Sequence, residues 1–368
     1  MSGSDPMRIA VDANVLGGAW GGIPKYLARI AAGLAADGDR VDLLANARRL
    51  ERQVEGTHEV GIRVKGTDSL WRQGFLRLWL AGARPDVLWA PESVLPRRSP
   101  VPTVVTIHDL AALRFPGTKP AAHEELFRTT VARSARRATR VIAVSRTTAD
   151  DVASMYGIDP GRISVVPNGV DAEFTPGDRA AARGAARARW GIAAPFVLHL
   201  GSLEPRKGLA VLIEAAELAA SRGAEWRVVL AGSGGFGSEE VVAAAERSDV
   251  CDLLGPVGDE DLVDLMRAAG AYAAPALYEG FGIPPLEAMA CGTPAVIAAD
   301  SGGLVEVSGT AAIVVADRTA EAWVEGIEAA LARPADLIAR GLAHAARFRW
   351  PQVTRETRAV LAKAARES

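Results

Sequence analysis

Cysteine is scarce, with Cys251 and Cys291 the only two thiols in 368 residues. Two cysteines so far apart build no disulfide framework and show none of the clustered spacing of a zinc site, which points to a reducing cytoplasm. Net charge is missing too, because 42 Lys and Arg against 44 Asp and Glu leave -2. Without a global basic excess to neutralise phosphates, the chain does not read as a nucleic-acid binder, although local patches stay open. No apolar run approaches the length of a membrane-spanning helix. A secretory signal is absent as well, since Met1–Pro6 is polar and Met7 opens a strand-like Arg-Ile-Ala-Val. Met1–Pro6 reads as a vector remnant, with a natural extension as the alternative. There is no short-period repeat, no low-complexity tract beyond one Ala/Arg-rich stretch, and no Asp-X-Asp motif set at a strand end to hold a divalent metal.

What is present suits buried cores: 49% of residues are hydrophobic and 23% charged, over a length that fits about two domains. Met7–Val11 reads as a strand and Asp12–Gly22 as a loop holding Gly17, Gly18, Gly21 and Gly22. A helix follows from Pro24, with Tyr26, Leu27, Ile30 and Leu34 at helical spacing and an exit at Gly38. Strand, glycine loop and helix are how a nucleotide fold opens. The loop lacks the spacing of a dinucleotide fingerprint, however, so its glycines also read as plain turns. Further strands are expected at Arg40–Ala45, Gly61–Val64, Asp86–Ala90, Thr103–Ile107, Val141–Ser145 and Arg162–Pro167. Between Leu70 and Leu80, Trp71, Phe75, Leu78 and Trp79 fall on one face of a core-facing helix. His108-Asp109 stands directly after Thr103–Ile107, the level at which α/β folds place ligands. By spacing alone His108 is a packing or capping residue as readily as a functional one. A helix over His123–Arg140 sets Arg133, Arg136, Arg137 and Arg140 on one face. That face reads as solvated, with contact to phospholipid or an anionic acceptor as the alternative.

The stretch Phe174–Gly191 looks like a linker with a short helix, and Phe196–Leu200 starts a second α/β domain. Gly201-Ser202-Leu203-Glu204-Pro205-Arg206-Lys207-Gly208 then leads into a helix over Leu209–Ala220. Here Arg206 can fork two oxygens, Lys207 supplies a point charge and the helix start adds N–H donors, which together make a phosphate site; the alternative is a solvent-exposed turn. Ala271–Ala274 is a strand that delivers the densest motif of the chain. Glu279 and Glu287 flank Gly280-Phe281-Gly282-Ile283, with Pro284 and Pro285 where a helix begins. Gly280 and Gly282 can turn peptide N–H groups toward an anion or hydroxyl. Glu279 can accept from sugar hydroxyls, and Glu287, in the first helical turn, can grip a ribose diol. Taken singly, Glu287 is equally a helix-dipole partner and Glu279 a solvated loop carboxylate.

The segment from Glu279 to Glu287, with Gly-Phe-Gly and Pro-Leu-Glu-Ala between, closely resembles the paired-glutamate motif of the GT4 family of retaining glycosyltransferases, and the resemblance covers nearly the whole chain. It implies an α/β GT-B architecture of two Rossmann-like domains facing across a cleft. The N-terminal acceptor-binding domain would be residues 7–172 plus 351–368 and the nucleotide-sugar-binding domain residues 173–350. A C-terminal helix over Pro351–Ala365 would cross back onto the first domain. The resemblance also implies roles. His108 contacts the donor sugar near the anomeric centre, and Gly21 and Gly22 approach the donor diphosphate and the acceptor. Ser202, Arg206 and Lys207 surround the diphosphate. Glu279 positions the hexose, Glu287 holds the ribose, and Gly280, Phe281, Gly282 and Ile283 cradle the donor. Asn168, in the segment leading out of the N-terminal half, faces the cleft or simply makes an Asn-Gly turn. The Gly302-Gly303 pair similarly precedes a glutamate, Glu306. Ser202 is a departure, because many family members carry arginine there.

The implied activity is retaining transfer of a hexose from a nucleotide sugar, with a lean to GDP-mannose, onto a hydroxyl of a glycan, lipid-linked or natural-product acceptor. The nucleotide sugar is a substrate, and no cofactor or metal is expected. Location would be cytoplasmic, with peripheral contact at the inner membrane face through the arginine face as an added option. A nucleotide-sugar epimerase or hydrolase of the same fold would consume donor without acceptor. A non-catalytic sugar-nucleotide-binding protein would bind donor without turnover, and the intact Glu279, Glu287, Arg206 and Lys207 favour an enzyme over it.

Overall fold

Runs such as Thr103–Ile107 and Ala295–Ala298, mostly apolar and buried at every position, are strands covered on both faces, and that is the pattern a parallel sheet requires. The computed structural model describes residues 5–18, 21–47, 50–61, 63–64, 68–192 and 195–367. Its first sheet contains β1 (Arg8–Asp12), β2 (Arg40–Ala45), β3 (His58–Gly61), β4 (Val87–Ala90), β5 (Thr103–Ile107), β6 (Arg140–Ala143) and β7 (Ile163–Val165). Their order is β3-β2-β1-β4-β5-β6-β7. The second sheet contains β8 (Phe196–Leu200), β9 (Arg227–Ala231), β10 (Cys251–Gly255), β11 (Ala271–Ala274), β12 (Ala295–Ala298) and β13 (Ile313–Val315), ordered β10-β9-β8-β11-β12-β13. All neighbours pair in parallel. Both sheets are therefore doubly wound, Rossmann-like layers. In each, the chain reverses its direction of travel at one place, between β1 and β4 and between β8 and β11. Open α/β sheets bind ligands outside the carboxyl ends of the strands at such a switch point.

Two compact units result: Met1–Leu110 with Glu124–Gly169 and Trp350–Ser368, and Ala111–His123 with Val170–Arg349. The sequence reading had kept 111–123 in the first domain. This segment joins the second unit because the Phe115 ring packs 6.0 Å from that of Tyr278 and Lys119 Nζ donates to Glu204 Oε1 at 2.6 Å. At the exit from the first unit, Val170 N donates to Phe348 O at 2.9 Å.

The helix Trp350–Arg366 belongs to the first unit, as the resemblance implied. It lies against the helix Gly22–Ala36, which begins two residues ahead of the expected Pro24. The approach is close because Gly33 has no side chain: a Cβ there would sit 2.6 Å from Thr354 Oγ1. Val353, Val360 and Leu361 enter the core around Ile9, Ile30 and Trp89, where each full burial contributes about 1.5–3 kcal/mol. Arg358 clamps Asp39 with bonds of 2.7 and 2.8 Å.

Two expectations fail for local reasons. The region Leu70–Leu80 is not one regular helix, because a π turn over Arg72–Leu76 separates Asp68–Trp71 from Arg77–Ala83. The wider turn rotates the faces, so Trp71, Leu76 and Leu80 are buried while Leu78 is 74% exposed. The arginine stripe is shortened for another reason, an early end to its helix. A π turn occupies Leu126–Val131, the helix ends at Arg137, and Arg140 opens β6 as a buried residue paired with Glu367. Arg136 and Arg137 donate to the carbonyls of Tyr156 and Arg97. The strand expected at Gly61–Val64 lies earlier, as β3, and part of that stretch lies outside the described residues, as do Met1–Ser4 and part of the Asp12–Gly22 loop.

Candidate active site

The basic loop and the glutamate loop leave β8 and β11, neighbours in the second sheet, and flank its switch point. Gly201 N donates to Ala231 O at 2.9 Å and Leu203 N to Ser233 O at 3.1 Å, which pins the start of the basic loop beside the exit of β9. Pro205–Lys207 form a single 3-10 turn ending at Gly208, whose φ of 65° and whose contact with Pro275 O, 2.4 Å from where a Cβ would lie, exclude any other residue. The helix Ala210–Ser221 follows. The two loops are then stitched together: Leu277 N donates to Arg206 O and Arg206 Nη1 to Tyr278 O, each at 2.8 Å.

That stitching brings Glu279 between two cations. Lys207 Nζ donates to Glu279 Oε1, and Arg206 Nη1 lies 3.3 Å from Oε2. Burial pushes the Glu279 carboxyl upward, but Lys207 and Arg206 together outweigh it and hold the group below the usual carboxylate range. Glu279 is therefore an acceptor only, at neutral pH. On its other side Arg206 lies 3.5 Å from Glu204, which also receives Lys119 at 2.6 Å. Such a network is stable as a set, since deleting one member of a buried pair costs about 3–5 kcal/mol.

Gly282, at φ 94°, turns the chain into the helix Ile283–Ala290, so Glu287 lies in the second turn rather than the first. Phe281 packs edge-on against Phe348 at 5.9 Å, which assigns its ring to the core and leaves only its backbone for a ligand. Gly303, in the helix Gly302–Ser308, presses on the glutamate loop. A Cβ at Gly303 would be 2.0 Å from Glu279 O. Ser202, half-buried, directly follows Gly201 at the start of the basic loop.

His199 was not anticipated. It lies on β8 in an otherwise apolar run, 2% exposed, stacked on Tyr272 at 6.1 Å with its Nδ1 2.9 Å from Ala273 O. Burial, helped by Lys207, pushes its pKa down to about 4. A polar residue inside a strand buried on both faces is the signal that could have found it. Arg318 was also missed: it donates to Pro275 O at 2.6 Å and pairs with Asp300, tying down the stem of the glutamate loop.

In the first unit, His108 follows β5 and meets Tyr26 of the helix Gly22–Ala36 edge-on at 4.9 Å. Its Nε2 lies 2.9 Å from Pro91 O, and burial lowers its pKa, so the ring is neutral at pH 7 with the proton on Nε2. Gly21 precedes this helix in extended conformation and Gly22 opens it, both exposed. The switch point here carries an ionic cluster that the sequence reading missed. Asp12, at the end of β1, receives Arg72 Nε at 2.6 Å, and Arg72 Nη2 lies 3.5 Å from Glu92, just beyond β4. Burial raises the Glu92 pKa, opposed by Arg72 and reinforced by Asp12 and Asp68. Asn168 is buried, with its side-chain oxygen lacking a hydrogen-bond partner among the described residues.

Two family models match: Glycosyltransferase Family 4 over residues 20–174 and Glycosyl transferases group 1 over residues 185–347. The chain belongs to the GT4 glycosyltransferases. Among its relatives are D-inositol 3-phosphate glycosyltransferases of Gordonia bronchialis, 33% identical over 74% of this chain and 61% of that one, and of Segniliparus rotundus, 36% identical over 76% and 64%. The chain thus spans somewhat under two thirds of the length of these relatives. Solved structures with the same fold include Anabaena HepE in complex with UDP and glucose (TM-score 0.75, 20% identity, 97% of this chain and 99% of that one) and the sucrose-phosphate synthase of Thermosynechococcus elongatus (TM-score 0.76, 18% identity, 98% and 100%). The second sheet, with its Glu279–Arg206–Lys207 cluster, lies within the Glycosyl transferases group 1 match. Among the described residues no group of three or more His, Cys, Asp or Glu is arranged to hold a metal ion, and no helix is long and apolar enough to cross a membrane.

Proposed function

We propose that this GT4 protein is a retaining hexosyltransferase that moves a hexose from a nucleoside-diphosphate sugar to an acceptor hydroxyl without a metal. The observation that carries this reading is the pairing of Glu279 with Lys207 and Arg206 at the β8/β11 switch point. A carboxylate held ionised beside two cations offers an acceptor for sugar hydroxyls and positive charge for a diphosphate within a single cluster. In the reaction, the bond from the anomeric carbon to the diphosphate oxygen breaks. The acceptor oxygen forms the new bond on the same face, and its proton passes to the departing phosphate. Lys207 and the N–H groups at the start of the helix Ala210–Ser221 stabilise the negative charge that develops. Arg206, already bonded to Tyr278 O and lying between Glu204 and Glu279, holds Glu279 in place as well as adding charge. Glu287 grips the ribose. His108, neutral and with Nδ1 carrying the lone pair, accepts from a sugar hydroxyl.

GDP-mannose is the first donor to test, and UDP-glucose the second because HepE has been solved with it. A thermal-shift panel of GDP-, UDP-, ADP- and dTDP-sugars and their free diphosphates reads donor binding directly, because a ligand that binds only the folded state stabilises it by mass action. One nucleotide series should raise the melting temperature, and Lys207→Ala and Glu279→Ala should abolish turnover with that donor. No shift with any series in a folded sample, or wild-type turnover in either variant, overturns the proposal. Donor consumption with no acceptor present would instead identify a hydrolase or epimerase.

A further inference from the structure

His199 lies beneath the cation that the proposed function relies on, yet nothing in that function uses it. Its ring is fixed on two sides, stacked on Tyr272 with an interplanar angle of 25° and bonded through Nδ1 to Ala273 O at 2.9 Å. A carbonyl oxygen only accepts, so the proton is on Nδ1 and the lone pair on Nε2. That Nε2 is buried and has no hydrogen-bond partner among the described residues, an arrangement that is unfavourable unless something donates to it. Its direction is given by Gly201: the point where a Cβ on Gly201 would lie is 3.6 Å from His199 Nε2 and 3.7 Å from Lys207 Nζ. The two nitrogens therefore border one space, kept clear because residue 201 has no side chain. The chemistry of the pair is complementary. Burial keeps the imidazole neutral, so Nε2 is a fixed acceptor, while the ammonium carries three N–H donors, only one of which is needed for Glu279.

We propose that His199 is a positioning residue for Lys207: its Nε2 accepts an N–H of the ammonium and fixes the direction in which that cation meets the donor diphosphate while Glu279 turns to the sugar. This role presupposes the donor site proposed above. Lysine is a compact charge on a flexible stem, and without a second anchor it would follow Glu279 when that carboxylate engages a hydroxyl. His199 supplies the second anchor from a strand, which is stiffer than a loop.

Two substitutions separate this role from a purely structural one. His199→Asn keeps an N–H where Nδ1 meets Ala273 O but has no atom at the Nε2 position. His199→Gln can place an oxygen where Nε2 was. If His199 positions Lys207, His199→Asn weakens calorimetric binding of UDP or GDP, whichever the wild type binds, by about tenfold and lowers kcat by ~10- to 100-fold, the range expected for a misplaced catalytic group. His199→Gln restores most of both, and the melting temperatures of the two variants stay close together. The opposite order, with Asn near wild type and Gln impaired, would show that His199 serves only the Ala273 carbonyl and would overturn the inference, as would two variants that both match wild type. A third readout needs no substitution at His199: 15N NMR of the ring should show Nε2 unprotonated at neutral pH and shifting when Lys207→Met removes the ammonium. A protonated Nε2, or one indifferent to Lys207, sinks the idea even if the variants fail to fold. If wild-type protein binds neither diphosphate, the donor-site reading itself falls, and that result is distinct from all the others.

Discussion

The most demanding test of the site uses a residue that has no side chain. Gly303 lies in a helix and outside the left-handed region that favours glycine, yet a Cβ there would lie 2.0 Å from Glu279 O, 3.0 Å from Glu279 C and 3.2 Å from Gly280 C. Real Cβ contacts keep at least 3.0 Å, so Gly303→Ala must open the closest one by about 1 Å, and the atoms in its way are backbone, which cannot swing aside as a side chain does. The Glu279–Gly280 peptide therefore moves, carrying the carboxylate away from Lys207 and Arg206. Overpacking of this kind costs about 1–3 kcal/mol of stability, a drop of several degrees in melting temperature for a domain of this size. A displacement of ~1 Å in a catalytic group costs roughly a hundredfold in rate, or about 2.7 kcal/mol of barrier. The assay is kcat/KM for the donor found in the thermal-shift panel, measured well below the melting temperature of the variant. Gly184→Ala is the control, because Gly184 is exposed in the helix Arg179–Trp190 with open space around it. Alanine there should gain ~0.4–1 kcal/mol and leave turnover unchanged. If Gly303→Ala keeps wild-type kcat/KM, the position of the Glu279 peptide does not matter to the reaction and the assignment of Glu279 is wrong.

Arg72→Met leaves Asp12 buried without its cation, and urea unfolding should show a loss of about 3–5 kcal/mol; a loss under 1 kcal/mol would mean that Asn14, which donates to Asp12 at 2.7 Å, suffices to hold it. Acid should destabilise the protein before its carboxylates titrate. His199 takes up a proton near 6.5 when unfolded but only near 4 when folded, so over that window the unfolded chain binds more protons and stability falls as pH falls, by about 3 kcal/mol at its foot. His108, also lowered, adds a contribution of the same sign. Melting temperatures taken from pH 8 to pH 4.5 should decline below about pH 6.5, and His199→Asn should decline less steeply. A flat profile, or an unchanged slope in the variant, contradicts the neutral buried ring.

Why these features escaped or yielded to the sequence is itself a matter of physics. Thr103–Ile107, Phe196–Leu200 and Ala271–Ala274 are legible to the residue, because strands buried on both faces become short, mostly apolar runs followed by His, Gly or Pro. The three-residue strand Ile313–Val315 carries too little pattern to be seen. Helical periodicity misleads where a π turn intervenes, since a reading at 3.6 residues per turn then puts Leu78 in the core, and where a helix stops early, since Arg140 lines up with Arg133 only if the helix runs past Arg137. The site divides along the same line. Residue types at Glu279, Arg206 and Lys207 announce carboxylate and phosphate chemistry, but their union depends on β8 and β11 being neighbours, and that is a property of strand order rather than of spacing. Phe115 and Lys119 join the second unit through Tyr278 and Glu204, contacts no local pattern encodes. His199 is the limiting case. A histidine in an apolar strand has no motif, and it acquires meaning only when Gly201, two residues on, leaves open the space that its Nε2 shares with Lys207. The residues proposed to act on a ligand thus announce themselves by chemistry, whereas the residue proposed to aim one of them becomes visible only once the strands are in order.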